Sequence, residues 1–259
     1  MQKKIKNQKD TSWGNVAHWY NDLLKKENTY QNEVILPNLL KLMDIKNTET
    51  ILDVACGQGY FAHEFSKFGA KVIGVDVSEE LIKLAKKNSS TNENFFVSFA
   101  NNLSFIQNKT LDKVSIILAL QNIDNLISVM KECSRVLKTK GKLFIVLNHP
   151  AFRVPKKSDW GYDVKNKVQY RRIEKYLSEI NINIDMNPGE KIQKFKQYTK
   201  SFHRPLQSYF RVFNESDFVV SRLEEWISNK KSQNGPRQKA EDVARKEIPM
   251  FMCIEAIRN

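Results

Sequence analysis

Two carboxylates and two glycines carry the most specific chemical signal in this chain. Asp53 opens the run Asp53-Val54-Ala55-Cys56-Gly57-Gln58-Gly59, and Asp76 stands 23 residues further on. Gly57 and Gly59 lack the Cβ atoms that would keep a ligand off the backbone, and a helix starting behind them offers unpaired N–H groups. A carboxylate at position 76, at the end of the next strand, can accept both hydroxyl hydrogens of a ribose. This suits an adenosine-containing cofactor. A dinucleotide fingerprint asks for G-x-G-x-x-G, and Gly57-Gln58-Gly59-Tyr60-Phe61-Ala62 meets it only through the final Ala62. Asp53 separates the two readings, because a carboxylate is unhelpful beside two phosphates and helpful beside a cationic amino-acid moiety.

These residues need a scaffold that brings strand ends together. Glu49 to Ala55 is a short apolar run, Tyr60 to Phe68 is helical up to Gly69, and Lys71 to Val77 is a second strand. Ser78 is placed to cap a helix whose first turn carries Glu79 and Glu80. Further strands are expected at Asn94 to Phe99, Lys113 to Leu120 and Leu143 to Leu147, with a helix over Asp124 to Leu137 and a turn at Lys140-Gly141. Strands alternating with helices imply a parallel α/β sheet. Ahead of it, the apolar spacing from Thr11 to Met43 predicts two helices, the second interrupted at Pro37. After Asn148-His149-Pro150 the alternation lapses, and Ala151 to Tyr209 reads as a cap inserted over the carboxyl edge of the sheet. Strand character returns at Phe218 to Leu223 and Ile248 to Ile257, around a polar stretch from Ser228 to Gln238.

The segment Ile51 to Gly59 resembles motif I of the class I S-adenosylmethionine-dependent methyltransferases, closest to the group called methyltransferase type 11. The resemblance spans roughly Ile51 to Leu147 plus the C-terminal strands. It implies an α/β, Rossmann-like fold: a seven-stranded, mostly parallel sheet with helices on both faces and an inserted cap. Its units would be N-terminal helices over the cofactor site (1–48), a cofactor-binding core (49–150), a basic and aromatic substrate cap (151–212) and strands completing the sheet (213–259). The cofactor implied is S-adenosylmethionine. Asp53, Ala55, Cys56, Gly57 and Gly59 would form the turn at its methionine end, and Asp76 would bind the ribose. Val77 would flank the adenine, with Ala100 and Asn101 at its edge, and Ala119 and Leu120 would border the other side. Two departures stand out. Ala55 replaces the first glycine of the D-x-G-x-G-x-G form, and Phe99-Ala100-Asn101-Asn102 lacks the acid common after the third strand.

Methyl transfer is an in-line displacement, so the protein must align the acceptor, exclude water and, for some acceptors, take a proton. His149 is the first candidate base and His203 the second, with Tyr162, Tyr170 and Tyr198 as orienting hydroxyls. Trp13, Trp19 and Tyr20 are candidates to fold over the cofactor. Cys56, beside the glycine turn, reads as a small packing residue.

Composition narrows the partners. The chain has 259 residues and a net charge of +13, from 42 Lys plus Arg against 29 Asp plus Glu. The excess is concentrated in residues 151–212, which carry 14 basic and 6 acidic residues. A small anionic acceptor methylated at O or N is therefore expected. The alternative partner is tRNA or rRNA held by the basic, aromatic cap, and a third reading is a protein that binds the cofactor without turnover. Lysine richness alone also follows from an AT-rich coding sequence. The apolar runs are too short for a membrane span and no secretory leader is evident, so a cytoplasmic location is expected. The three cysteines are too far apart for a zinc site, and no metal is expected.

Overall fold

The computed structural model describes residue 13, residues 28–186 and residues 198–259. Strands β1 (Thr50–Val54), β2 (Lys71–Asp76), β3 (Glu93–Val97), β4 (Leu111–Ile117), β5 (Leu137–Asn148), β10 (Phe218–Trp226) and β11 (Phe251–Arg258) form one sheet. Its order is β10-β11-β5-β4-β1-β2-β3. The first five strands run parallel, and β11 enters antiparallel between β5 and β10. The chain steps outward from β1 to β3 and then crosses to β4 on the other side of β1. The strand order reverses there, and a crevice opens at the carboxyl ends of β1 and β4.

Alternation along the central strands fills two layers of core. Leu52 and Val54 of β1 pack on one face with α4 (Leu126–Val136) and α5 (Leu206–Asn214), through Val129, Met130, Tyr209 and Phe213. Ile51 faces the other way, against α1 (Leu36–Met43) and α2 (Tyr60–Ser66), with Leu39, Met43, Phe61 and Phe65. Helix α3 (Glu79–Lys87) begins as the sequence asks, with Ser78 Oγ accepting the Leu81 N–H at 3.2 Å.

Three local expectations resolve differently. Pro37 does not break its helix: the preceding turn, Gln31–Ile35, widens to π geometry and runs straight into α1, which accommodates the missing N–H. The turn at Lys140-Gly141 is instead an irregularity inside β5, where Lys140 takes φ +64° and the pairing with β4 jumps from Leu137 to Lys142. The polar stretch before the last strand ends in helix α6 (Gln238–Glu247).

The region after His149 contains two ribbons, β6 (Ser158–Asp163) with β7 (Val168–Ile173), and β8 (Ile180–Asp185) with β9 (Tyr198–His203). The β8–β9 ribbon leans on the segment that follows β4. Asn122 Nδ2 donates to the Lys200 carbonyl at 2.8 Å, and Arg204 donates to the carbonyls of Ile123 (2.9 Å) and Asp124 (2.5 Å). The β6–β7 ribbon lies against α6, where Arg237 stacks 4.6 Å from the Tyr162 ring. No helix among the described residues is long and apolar enough to cross a membrane.

Candidate functional site

The turn after β1 is built from left-handed residues. Ala55, Gly57 and Gly59 have φ of +57°, +58° and +84°. Glycine takes this conformation freely, whereas Ala55 holds it under strain of about 1 kcal/mol. The turn is fixed from both sides: the Cys56 N–H donates to the Val75 carbonyl at 2.9 Å, and Gly57 N–H donates to Asp76 Oδ2 at 3.0 Å. Asp76 Oδ1 takes the Ser78 N–H at 2.8 Å, so one buried carboxylate ties the first turn to the second. Burial pushes the Asp76 carboxyl up, and the N–H groups of Ser78, Gly57 and Val77 oppose it.

A groove runs along these ends. Its narrower part, about 150 Å³, is lined by Trp13, Ala55, Gly57, Leu118 and Ala119 among others. The wider part, about 390 Å³, is lined by Ser98, Phe99, Ala100, Asn101 and Asp124 among others. Ala55, Asp76, Val77, Asn122 and Ile123 belong to both, which makes the groove continuous. Leu118, on its wall, has φ +52°, a second non-glycine residue held in the left-handed region. Strain of this kind persists only where the surroundings over-determine it, and it gathers at ligand sites.

The groove brings together Ala55, Gly57, Asp76, Val77, Ala100, Asn101 and Ala119 from the sequence-derived set, with Trp13 against them. Gly59 instead caps α2, where a side chain would meet Phe95 and His63. Cys56 is buried on the α2 side of the sheet. Leu120, expected beside Ala119, is fully buried, because the chain turns into a 3-10 helix at Leu120–Asn122 and carries that side chain into the core beside α4. Trp19 and Tyr20 lie outside the described residues. Leu118, Asn122, Ile123 and Asp124 were not foreseen in the groove; their only signal is position, near the end of the strand expected over Lys113 to Leu120 or just after it.

Asp53 lies beneath the turn, 2% exposed, with Oδ1 accepting from Ser115 Oγ at 2.9 Å and Oδ2 without a partner among the described residues. Burial raises its pKa from 3.8 to about 7, against the Ser115 hydrogen bond and with help from Asp76. A carboxyl whose folded pKa exceeds its unfolded value keeps its proton in the folded state after the unfolded chain has released it. The stability this provides is complete in acid and is lost as pH rises from about 4 to about 7, by up to a few kcal/mol. Urea unfolding of the ligand-free protein at pH 5 and pH 8 is expected to show that loss, and Asp53→Asn is expected to remove it.

His149 is also buried. Its Nε2 donates to Glu225 Oε1 at 2.7 Å and its Nδ1 accepts the Ala151 N–H at 3.2 Å, so both ring nitrogens are engaged. Burial lowers its pKa, with Glu225 pulling the other way. It does not line the groove; the imidazole pins the start of the insert to β10. His203 likewise donates Nε2 to the Tyr176 carbonyl at 2.8 Å. Tyr162 and Tyr170 sit on the β6–β7 ribbon, with Tyr170 packed over Gly161, and Tyr198 is exposed at the start of β9. No group of three His, Cys, Asp or Glu among the described residues is placed to hold a metal ion.

Comparison with known proteins agrees with this geometry. Residues 52–145 match the family described as methyltransferase domain. The chain is 31% identical over 98 residues to a ubiquinone biosynthesis O-methyltransferase of Xanthomonas oryzae, covering 37% of this chain and 41% of that protein. It is 26% identical over 111 residues to a demethylmenaquinone methyltransferase of Tropheryma whipplei, covering 42% and 46%. The chain thus matches less than half the length of these curated relatives. Among solved structures, an S-adenosylmethionine-dependent methyltransferase from Mesorhizobium loti superposes with a TM-score of 0.68 at 20% identity, over 89% of this chain and all of that one. One from Clostridium acetobutylicum gives 0.61 at 16% identity, over 96% of this chain and 100% of the other. Residues 52–145 thus match the methyltransferase domain family, in a chain that has the fold of solved S-adenosylmethionine-dependent methyltransferases, and the cofactor this resemblance implies is S-adenosylmethionine.

Proposed function

We propose that the protein transfers the methyl group of S-adenosylmethionine to an O or N atom of a small anionic acceptor. The observation that carries this reading is the continuous groove at the β1/β4 crossover, with Asp76 in its wall and the left-handed turn at one end. The residues fit the cofactor's chemistry. Each Asp76 oxygen has spent one lone pair on a backbone N–H and keeps another for a ribose hydroxyl. Asp53, beneath the turn, supplies a buried carboxyl with one oxygen that has no partner among the described residues. Ala100 and Asn101 would meet the adenine and Gly57 the methionine. When bound, the cofactor supplies a sulfonium-activated methyl group.

The chain's own part is alignment and exclusion of water. Trp13 and Leu118 wall the narrower end of the groove, and the β8–β9 ribbon stands beside it. No protein base is required where the acceptor atom arrives deprotonated, which agrees with His149 being held by Glu225 and Ala151. RNA is less favoured, because Arg204, beside the groove, is turned onto carbonyl oxygens of the protein itself.

Calorimetric titration with S-adenosylmethionine and S-adenosylhomocysteine, followed by an acceptor screen with labelled methyl donor, tests the proposal. Binding of both, with label appearing in a small acid, supports it. A folded sample that binds neither overturns it, and label appearing only in RNA would transfer the function to the alternative.

A further inference from the structure

Beyond the end of β5, on the opposite side of the groove from Ala100 and Asn101, Arg153 is half buried within reach of the charges of Arg171 and Arg245. Arg153 follows His149 by four residues, and its N–H donates to the His149 carbonyl at 2.8 Å. Its guanidinium is half buried, and among the described residues its Nε, sealed from solvent, has no partner and no carboxylate is in contact with it. Arg171 of β7 is fixed next to it: Nε donates to the Phe152 carbonyl at 2.9 Å, a second nitrogen donates to Ser158 Oγ at 2.8 Å, and the group lies 5.1 Å from the Trp160 ring. These hydrogen-bond partners are neutral, and the Asp159 carboxylate acts on the group through space. Arg245 of α6 donates to Ser232 Oγ at 3.2 Å, lies 4.0 Å from the Glu241 carboxylate and also feels that of Asp242. It also lines an open cavity with Lys231 and Arg237.

A half-buried guanidinium without an anion is costly, and two like charges beside it raise the cost. Burial together with Arg171 and Arg245 holds the Arg153 pKa below its ordinary value, while Tyr30 pulls it back. The three side chains come from a loop, a strand and a helix distant in sequence, so local charge patterning along one element does not explain their meeting. Guanidinium groups are the side chains best matched to planar or tetrahedral oxyanions.

We propose that Arg153, flanked by Arg171 and Arg245, binds an oxyanion, either a carboxylate or a phosphoryl group, and that this group belongs to the acceptor. The second half rests on the methyltransferase reading; the first does not. Position supports the assignment. In the sheet β5 borders β4, and Leu118 and Ala119, which follow β4, line the narrow end of the groove, so an anchor beyond β5 lies on that side and away from the Ala100–Asn101 end.

The test uses the full chain and inorganic phosphate, with thermal unfolding followed at constant ionic strength as phosphate replaces chloride. Wild type is expected to gain stability from phosphate, and Arg153→Gln and Arg245→Gln are each expected to bind it roughly tenfold more weakly or worse. Both variants should titrate with S-adenosylmethionine as wild type does. An equal response to phosphate in all three proteins, or none in wild type, overturns the site. Mutual exclusion of phosphate and S-adenosylmethionine would assign the arginines to the cofactor and overturn the acceptor half. In the acceptor screen, a preference for acids over their amides that disappears in Arg153→Gln makes the anion the acceptor's own; a preference that persists makes it a free ion. Failure of wild type to bind S-adenosylmethionine sinks the methyltransferase reading while the phosphate comparison still decides the oxyanion site.

Discussion

Asp76→Ala is expected to weaken S-adenosylmethionine binding by roughly 100-fold or more, the loss of two hydrogen bonds to a charged acceptor. The same carboxylate accepts from Gly57 at 3.0 Å and from Ser78 at 2.8 Å, so its removal leaves two backbone donors unpaired at the bottom of the groove. Folding should also lose about 2 kcal/mol. Calorimetry alongside urea unfolding separates the two effects. A variant that unfolds at lower urea yet binds the cofactor like wild type would remove Asp76 from the cofactor site and leave it a purely structural clasp. Asp76→Asn retains one acceptor oxygen and should fall between the two.

The second large effect concerns folding. Gly74 lies in the middle of β2, paired with Asp53 on one side and Phe95 on the other. A methyl group built there overlaps the Phe95 ring and stands 2.9 Å from Cys56 Sγ. Phe95 is 3% exposed and Cys56 is 8% exposed, so neither has free space to retreat into. Gly74→Ala should therefore cost about 3 kcal/mol, a drop in Tm on the order of 10 °C. Trimming the obstacle should restore part of it, so Gly74→Ala with Phe95→Leu is expected to be more stable than Gly74→Ala with Phe95 intact. If Gly74→Ala melts within about 2 °C of wild type, the layer between β2 and α2 is looser than its packing indicates.

Much of the parallel core was legible because its signals are local. Asp53 to Gly59 needs left-handed turn residues at fixed spacing, Ser78 needs only its own helix, and buried central strands read as apolar runs. The insert was not legible, for a physical reason. Its ribbons are two-stranded and half exposed, so β7 alternates exposed and half-buried residues with arginines among them, and no apolar run announces it. Helix α6 buries only Ala244 fully, which leaves little amphipathic pattern to detect. Leu118 and Leu120 show the limit within the site: which way each side chain faces is decided by a reversal of φ and a 3-10 turn, neither of which their apolar character encodes. The environment of His149 depends on Glu225, 76 residues away, and no spacing rule reaches that far.

Among the described residues, the hydrogen bonds that join the β8–β9 ribbon to the groove end on main-chain oxygens. Arg204 holds the carbonyls of Ile123 and Asp124, and Asn122 holds that of Lys200. Every residue type presents the same carbonyl, so only Asn122 and Arg204 need keep their identity for the joint to close. The remaining faces of the ribbon are thereby released from architectural duty. Such a part is interchangeable: its surface can be rewritten for a new acceptor while the seat beneath it stays the same.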